Sequence, residues 1–309
     1  MVDAFCDQLE LRGYSRETIR VSRCYLAMLA AWLQLQHITR PTDVTRRTIT
    51  DYQRHLHDHR KADGKTLSLY TQGAAVGPIR RFYTWAVDND LLHDNPTAAI
   101  VLPRREQRLP RAVLTAEEAE LTLATPDIHT PIGLRDRAIL ETFYATGMRR
   151  SELSRLTLPD IDRQRRTVLI REGKGNKDRF IPISQRALAW IALYTQRTRP
   201  LWAREPDDLH VFLSREGYPL TPHRYSGIVR RYVKDSGINK HGACHMFRHT
   251  LATLMLEGGA DIRYVQQMLG HSNLTSTQIY THVSVATLQA VYTASFPGAD
   301  GGEIPAESN

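Results

Sequence analysis

Apolar positions in the first hundred residues recur at helical spacing. From Ser15 to about Leu35, the residues Ile19, Tyr25, Leu26, Leu29, Trp32 and Leu33 fall roughly on one face, and Ser15 can cap the start. Thr45 can cap a second helix ending near His59, and a third spans about Leu67 to Val87 with Ile79, Phe82, Tyr83 and Ala86 inward. Pro78 lies within it and lacks a backbone donor, so a break or kink is expected near Gly77. Asn95-Pro96 is expected to open a short fourth helix.

The pattern changes after Leu102. Residues 103–111 have no apolar period and carry Arg104, Arg105 and Arg108 between two prolines, so 103–112 reads as a basic linker. Thr115-Ala-Glu-Glu118 is a capping box that opens a second domain. A helix follows at about 135–146 and ends at Gly147, a left-handed cap. Thr167–Arg171 and Arg179–Ile183 are β-rich runs separated by a Gly-Lys-Gly-Asn-Lys-Asp turn, which predicts a hairpin. Val211–Ser214 reads as a third strand, and Pro222 starts a helix that Gly237 ends. Helices are expected at 245–257, 261–269, about 276–281 and 284–294. The fold class is mainly α with a small antiparallel sheet: a helical domain at 1–102, an α+β domain at 113–296, and a disordered acidic tail at 297–309.

Composition narrows the partners. The 309 residues carry a formal net charge of +8, and the acids of 297–309 have no base beside them, so the rest of the chain is more basic still. A polyanion is the matching partner, although charge alone fits a solvated basic surface equally well. Cys6, Cys24 and Cys244 are odd in number and lack metal-ligand spacing, so neither a disulfide framework nor a zinc site is expected. No apolar run approaches the length of about 18 residues that crosses a bilayer. Asp3, Asp7 and Glu10 interrupt any leader, so a cytoplasmic protein with no membrane partner is expected.

Candidate chemistry concentrates near the C-terminus, where His245, Arg248, His271 and Tyr280 read H-x-x-R, H, Y, with Arg149 upstream after Gly147-Met148. These groups can attack a phosphodiester without a metal. Guanidinium forks neutralise non-bridging oxygens, histidines hold or move protons near neutral pH, and a tyrosine can carry a covalent intermediate. An arginine in isolation would read as a surface ion pair, and a histidine as a structural group. His241, His245 and His249 recur every fourth residue like metal ligands, but Gly242 favours a helix start after His241, and no carboxylate or cysteine completes a set. Lys174 sits between two glycines at the hairpin tip, where an ammonium can protonate a leaving oxygen; Lys177 is an alternative for the same role.

Five ordered strings carry a family resemblance: Ala145-Thr-Gly-Met-Arg-Arg-Ser-Glu-Leu153, Gly173-Lys-Gly-Asn-Lys-Asp-Arg179, His245-Met-Phe-Arg-His-Thr250, Leu269-Gly-His-Ser272 and Gln278-Ile-Tyr-Thr-His282. Together they resemble the tyrosine recombinase (phage integrase) family, nearest to its Xer-like and mobile-element members of simple two-domain build. Met148 and Phe247 stand where leucine is common, and neither is a chemical position. The resemblance covers roughly residues 5–295.

The resemblance implies a core-binding helical domain and a catalytic domain acting on double-stranded DNA recombination sites. It implies catalytic Arg149, Lys174, His245, Arg248, His271 and Tyr280, with Glu152 as an accessory that orients Arg149 or His245. His245 would accept the tyrosine proton or bond the phosphate, His271 would donate to a phosphate oxygen, and Lys174 is favoured over Lys177. Arg104, Arg105, Arg108, Lys177 and Arg179 are the candidate DNA-backbone contacts. No metal, ATP or other cofactor is expected. The assembly implied is a homotetramer, or a heterotetramer with a paralogue. A type IB topoisomerase and a non-cleaving DNA-binding accessory protein are the rival readings.

Overall fold

A computed structural model describes residues 1–61, 63–100, 113–171, 178–206, 209–270 and 285–299, with the side chains of 285–287 left aside. The chain forms two compact units, Met1–Arg108 and Leu109–Asn309. Among the described residues no helix is long and apolar enough to cross a membrane. The expected linker, the hairpin tip with Lys174 and Lys177, and the segment holding His271 and Tyr280 lie outside the described residues, as does the helix expected near 276–281.

The first unit contains helices α1 (Val2–Leu11), α2 (Arg16–Leu35), α3 (Arg46–Asp58) and α4 (Leu69–Asp88). Side-chain caps start the last three: Ser15 accepts from the Thr18 amide, Thr45 and Thr48 form a reciprocal pair, and Ser68 accepts from the Thr71 amide. Phe5, Leu26, Leu29, Ile49, Tyr52, Ile79, Phe82 and Tyr83 form its core.

Three features depart from expectation. Helix α1 was not foreseen, because Asp3, Asp7 and Glu10 interrupt its apolar residues; the fold buries Phe5, Cys6 and Leu9 all the same. Helix α4 runs through Pro78 as one element, without the break that was one of the two outcomes expected there. The lost backbone bond costs about 3 kcal/mol, but Val76 and Ile79 are buried on either side of the proline and hold the helix on the core. The helix expected at Asn95-Pro96 is only a turn. The Asn95 side-chain oxygen accepts from the Thr97 amide at 2.9 Å and from its hydroxyl at 2.6 Å, which competes with helical continuation.

In the second unit, α5 (Ala116–Ala124) begins at the expected capping box. Helix α6 (Pro131–Thr146) is buried on nearly all sides and ends at Gly147 with φ 57° and ψ 19°. A four-residue helix α7 (Arg150–Leu153) follows. Strands β1 (Ile161–Asp162), β2 (Thr167–Ile170) and β3 (Arg179–Pro182) make an antiparallel sheet in that order, with Val168 opposite Ile181 and Ile170 opposite Arg179. The expected strand at Val211–Ser214 joins no sheet. The Leu213 amide donates to the Tyr194 hydroxyl at 3.1 Å and its carbonyl accepts from Arg135 at 3.1 Å, while the Val211 and Ser214 amides donate to the Leu156 and Tyr218 carbonyls.

Helix α8 (Gln185–Arg197), which the sequence pattern did not disclose, packs along α6. Arg186 and Arg137 both bond the wholly buried Glu141 of α6, at 2.9 and 3.0 Å. Then come α9 (Pro222–Asp235), α10 (Cys244–Glu257), α11 (Ile262–Leu269) and α12 (Val285–Ser295). Helix α12 lies on its own unit: the Tyr292 hydroxyl donates to the Ala145 carbonyl at 2.8 Å, and Phe296 packs on Tyr144. Residues 297–299, the start of the expected tail, form a turn in which Ala299 is buried.

Candidate active site

The site is built where three element ends meet: the α6–α7 junction, the face of α10, and the C-terminus of α11. Gly147 makes the first possible. Its positive φ suits glycine, and a Cβ there would lie 2.9 Å from Leu251 of α10 and 3.0 Å from Leu269 of α11. With no side chain in the way, α10 comes close enough for Arg248 to donate to the Gly147 carbonyl at 3.0 Å. The other arm of Arg248 donates to the Leu269 carbonyl, at the end of α11. Both acceptors are helix-terminal carbonyls, where the helix dipole carries partial negative charge.

Arg248 is only 4% exposed and finds a carbonyl at each arm, not a carboxylate. Burial, then the charge of Arg149, push its guanidinium down to about 10, still fully cationic at neutral pH. It is a buried positive charge without a direct anionic partner among the described residues. Such a charge is costly to hold, and an incoming phosphate would relieve that cost.

Arg149 stands at the N-terminus of α7. Its guanidinium donates to Glu152 at 2.8 Å and to the Gly270 carbonyl at 3.2 Å. Glu152 also accepts from the Arg149 amide at 2.8 Å, so one carboxylate holds both the backbone and the fork of that arginine. Of the two roles the sequence left open for Glu152, this is the bond to Arg149. Burial alone would raise the Glu152 carboxyl, whose side chain is 2% exposed; hydrogen bonds and charge from Arg179 and Arg149 instead hold it below its usual value.

Arg179 was offered by the sequence as a DNA-backbone contact, but it points into this cluster. It donates to both oxygens of Glu152 at 3.1 Å and to the Met268 carbonyl at 3.3 Å. Sequence reasoning missed this. The available signal was strand alternation: Ile181 is buried, so Arg179, two residues earlier, faces the same way.

His245 lies one turn before Arg248 on α10 and is exposed. Partial loss of solvent around the ring, and then the like charge of Arg248 and neighbouring cations, lower its imidazole below the ordinary value. The histidine ladder weighed as a metal site is not built, since His241 precedes the first turn of α10. Among the described residues, no three histidine, cysteine or acidic side chains gather to hold a metal.

The structure therefore brings together Arg149, Glu152, Arg179, Arg248 and the end of α11. It leads the chain into His271 immediately after Gly270, whose φ is 63°. Lys174, Lys177, His271, Tyr280, Arg104, Arg105 and Arg108 lie outside the described residues.

Known proteins are similar to this chain over most of its length. The model of the phage integrase family matches residues 112–287. A tyrosine recombinase XerC 2 of Ralstonia nicotianae is 43% identical over 298 residues, spanning 96% of this chain and 85% of that protein. A tyrosine recombinase XerC of Bacillus licheniformis is 37% identical over 97% of each chain. Among solved structures, XerH site-specific recombinase bound to a palindromic difH substrate, a post-cleavage complex, has a TM-score of 0.66 at 20% identity, covering 94% of this chain and 80% of that one; it supports the fold alone. A motif set in family order, an arginine-lined site and relatives spanning nearly the whole chain agree: this chain belongs to the phage integrase family of tyrosine recombinases.

Proposed function

We propose that Tyr280 is the nucleophile of this site-specific DNA recombinase, and that Arg149 and Arg248 bind the phosphate it attacks. The observation that carries this reading is the convergence of the two arginines, a hundred residues apart in sequence, on the Gly147 and Gly270 ends of α6 and α11. Two forks there can hold both non-bridging oxygens and stabilise the charge that grows in the pentavalent transition state. The family performs this chemistry without metal or ATP.

In the forward step the Tyr280 oxygen bonds phosphorus and the bond to the 5′-oxygen breaks. His245 takes the phenolic proton, Lys174 protonates the departing 5′-oxygen, and His271 donates to a non-bridging oxygen. The products are a 3′-phosphotyrosyl link and a free 5′-hydroxyl. Attack by a 5′-hydroxyl from another duplex reverses the step and joins exchanged strands, with the ester conserving the bond energy. Arg104, Arg105, Arg108 and Lys177 track the DNA backbone, with 1–102 as the core-binding domain and 113–296 as the catalytic domain. A tetramer, of one chain or with a paralogue, acts on two recombination sites in the cytoplasm.

A nicked suicide duplex tests the reading. Wild type should accumulate a covalent adduct on a denaturing gel, whereas Tyr280→Phe should form none and still bind DNA. An adduct in the variant would place the nucleophile elsewhere. Wild-type protein that binds without any adduct would restore the non-cleaving accessory reading.

A further inference from the structure

We propose that Arg179 is a positioning residue for strand cleavage, acting through Glu152 on Arg149, and not a contact to the DNA backbone. The proposal rests on reading the Arg149–Arg248 cluster as the catalytic site.

The sheet itself marks this arginine as unusual. On β3 the ordinary arrangement is inverted: Phe180 is 52% exposed while the side chain of Arg179 is only 16% exposed. Turning a phenylalanine out and an arginine in forfeits apolar burial and desolvates a charge, so the inward arginine needs strong partners. It has them. Nη2 lies 3.1 Å from both carboxylate oxygens of Glu152, and Nε donates to the Met268 carbonyl. The guanidinium also lies flat against Gly270, where an added Cβ would sit 3.0 Å from both its central carbon and Nε.

One side chain thus ties three pieces of the site. It begins the strand that leaves the lysine-bearing hairpin, it holds the carboxylate that orients Arg149, and it rests on the glycine preceding His271. Glu152 accepts two bonds from Arg149 and two from Arg179, so losing Arg179 frees half of its anchorage. Arg149 spends one N–H on Glu152 and one on the Gly270 carbonyl. A guanidinium has five such donors, so a fork can still be offered to phosphate, provided the carboxylate stays still. A one-ångström loss of position is enough to slow an enzyme by about a hundredfold.

The test uses full-length protein in single-turnover cleavage of a suicide duplex, separating the maximal rate from the DNA affinity. Arg179→Met should lower the maximal rate about tenfold or more, with affinity within about twofold and an unchanged slope of log K against log salt. Arg179→Lys should stay slow, because a point charge cannot span Glu152 and Met268 together. Its rate also provides the measurement should the methionine variant not fold, since a lysine on a phosphate would keep most of the rate and a lysine in place of the clamp would not.

Glu152→Gln should be slow too, and the double variant Glu152→Gln with Arg179→Met no slower than the worse single, since both break one clamp. The acid limb of the rate profile should move to higher pH in Arg179→Met, where burial of Glu152 is less opposed, and the shift should vanish once residue 152 is glutamine. A salt slope reduced by about 0.9 in Arg179→Met, recovery of the rate by lysine, or additive losses in the double variant would make Arg179 a phosphate contact and overturn the proposal. Arg149→Ala is the control. Wild-type cleavage in that variant would defeat the catalytic reading of the cluster, whereas a dead Arg149→Ala beside a normal Arg179→Met would defeat this inference alone.

Discussion

Adding one methyl group at Gly147 should cost this protein both stability and cleavage. In an ordinary helix a glycine-to-alanine change stabilises by up to about 1 kcal/mol, so the expected sign here is opposite to that of a reading blind to context. Two terms set the magnitude. Residue 147 has φ 57°, and a left-handed conformation costs a non-glycine residue roughly 1–2 kcal/mol. The new Cβ would also meet Leu251 at 2.9 Å and Leu269 at 3.0 Å, both buried in the core, and overpacking of this kind costs about 1–3 kcal/mol. The central expectation is a loss of about 3 kcal/mol, or a Tm lower by roughly 6–12 °C for a unit of this size.

Controls separate the terms. Gly259 has φ +86° with nothing within 4 Å of an added Cβ, so Gly259→Ala should show the backbone term alone. Gly73, inside α4 with open space around it, should become neutral or slightly stabilised by the same change. Urea unfolding of the three variants gives the comparison. Cleavage should fall with Gly147→Ala because α10 cannot move away without stretching the 3.0 Å bond from Arg248 to the Gly147 carbonyl. A Gly147→Ala protein as stable as wild type and equally fast would refute both the packing argument and the role of the close α6–α10 approach.

Other outcomes follow from the same site. Arg149→Ala and Arg248→Ala should each slow cleavage by about 10²–10³, the usual cost of one preorganised oxyanion donor, while binding persists; unchanged rates in a suicide-substrate assay would leave the residue a purely structural role. Because Glu152 is held below its usual carboxyl value, its contribution to stability is present above the unfolded pKa of about 4.3 and disappears as pH falls through the lower folded value. Urea midpoints measured from pH 6 to pH 3 should fall less steeply in Glu152→Gln than in wild type. If Lys174 is the general acid, Lys174→Ala should be strongly defective on normal DNA and recover on a 5′-bridging phosphorothiolate, whose sulfur leaves without a proton. Lys177→Ala should be milder and more salt-sensitive; rescue of Lys177→Ala instead would exchange the two roles.

Local rules made much of this protein legible from its sequence. Capping residues announced α2, α3 and α5, a first-turn proline announced α9, a glycine announced the left-handed end of α6, and a glycine-rich turn announced the β2–β3 hairpin, because each depends on a few neighbouring residues. The motifs likewise single out Arg149 and Arg248, which the fold places at the adjoining ends of α6 and α11.

What the sequence did not disclose depends on distant partners. Helix α4 continues through Pro78 because core packing outweighs one lost bond, and Val211–Ser214 joins no sheet, its backbone being shared between Tyr194 and Arg135 at Leu213 and the backbone of Leu156, Tyr218 and Leu220. The seat of α12 on its own unit is set by Ala145 and Tyr144, more than a hundred residues away. Arg179 is the sharpest instance. In sequence it is one more basic residue beside a basic turn; in the fold, a carboxylate from α7 and a carbonyl from α11 arrive beside it and turn it inward. Propensity and pattern act over a turn or two of chain, whereas the electrostatic fate of a charged side chain depends on which groups the tertiary structure places within hydrogen-bonding reach.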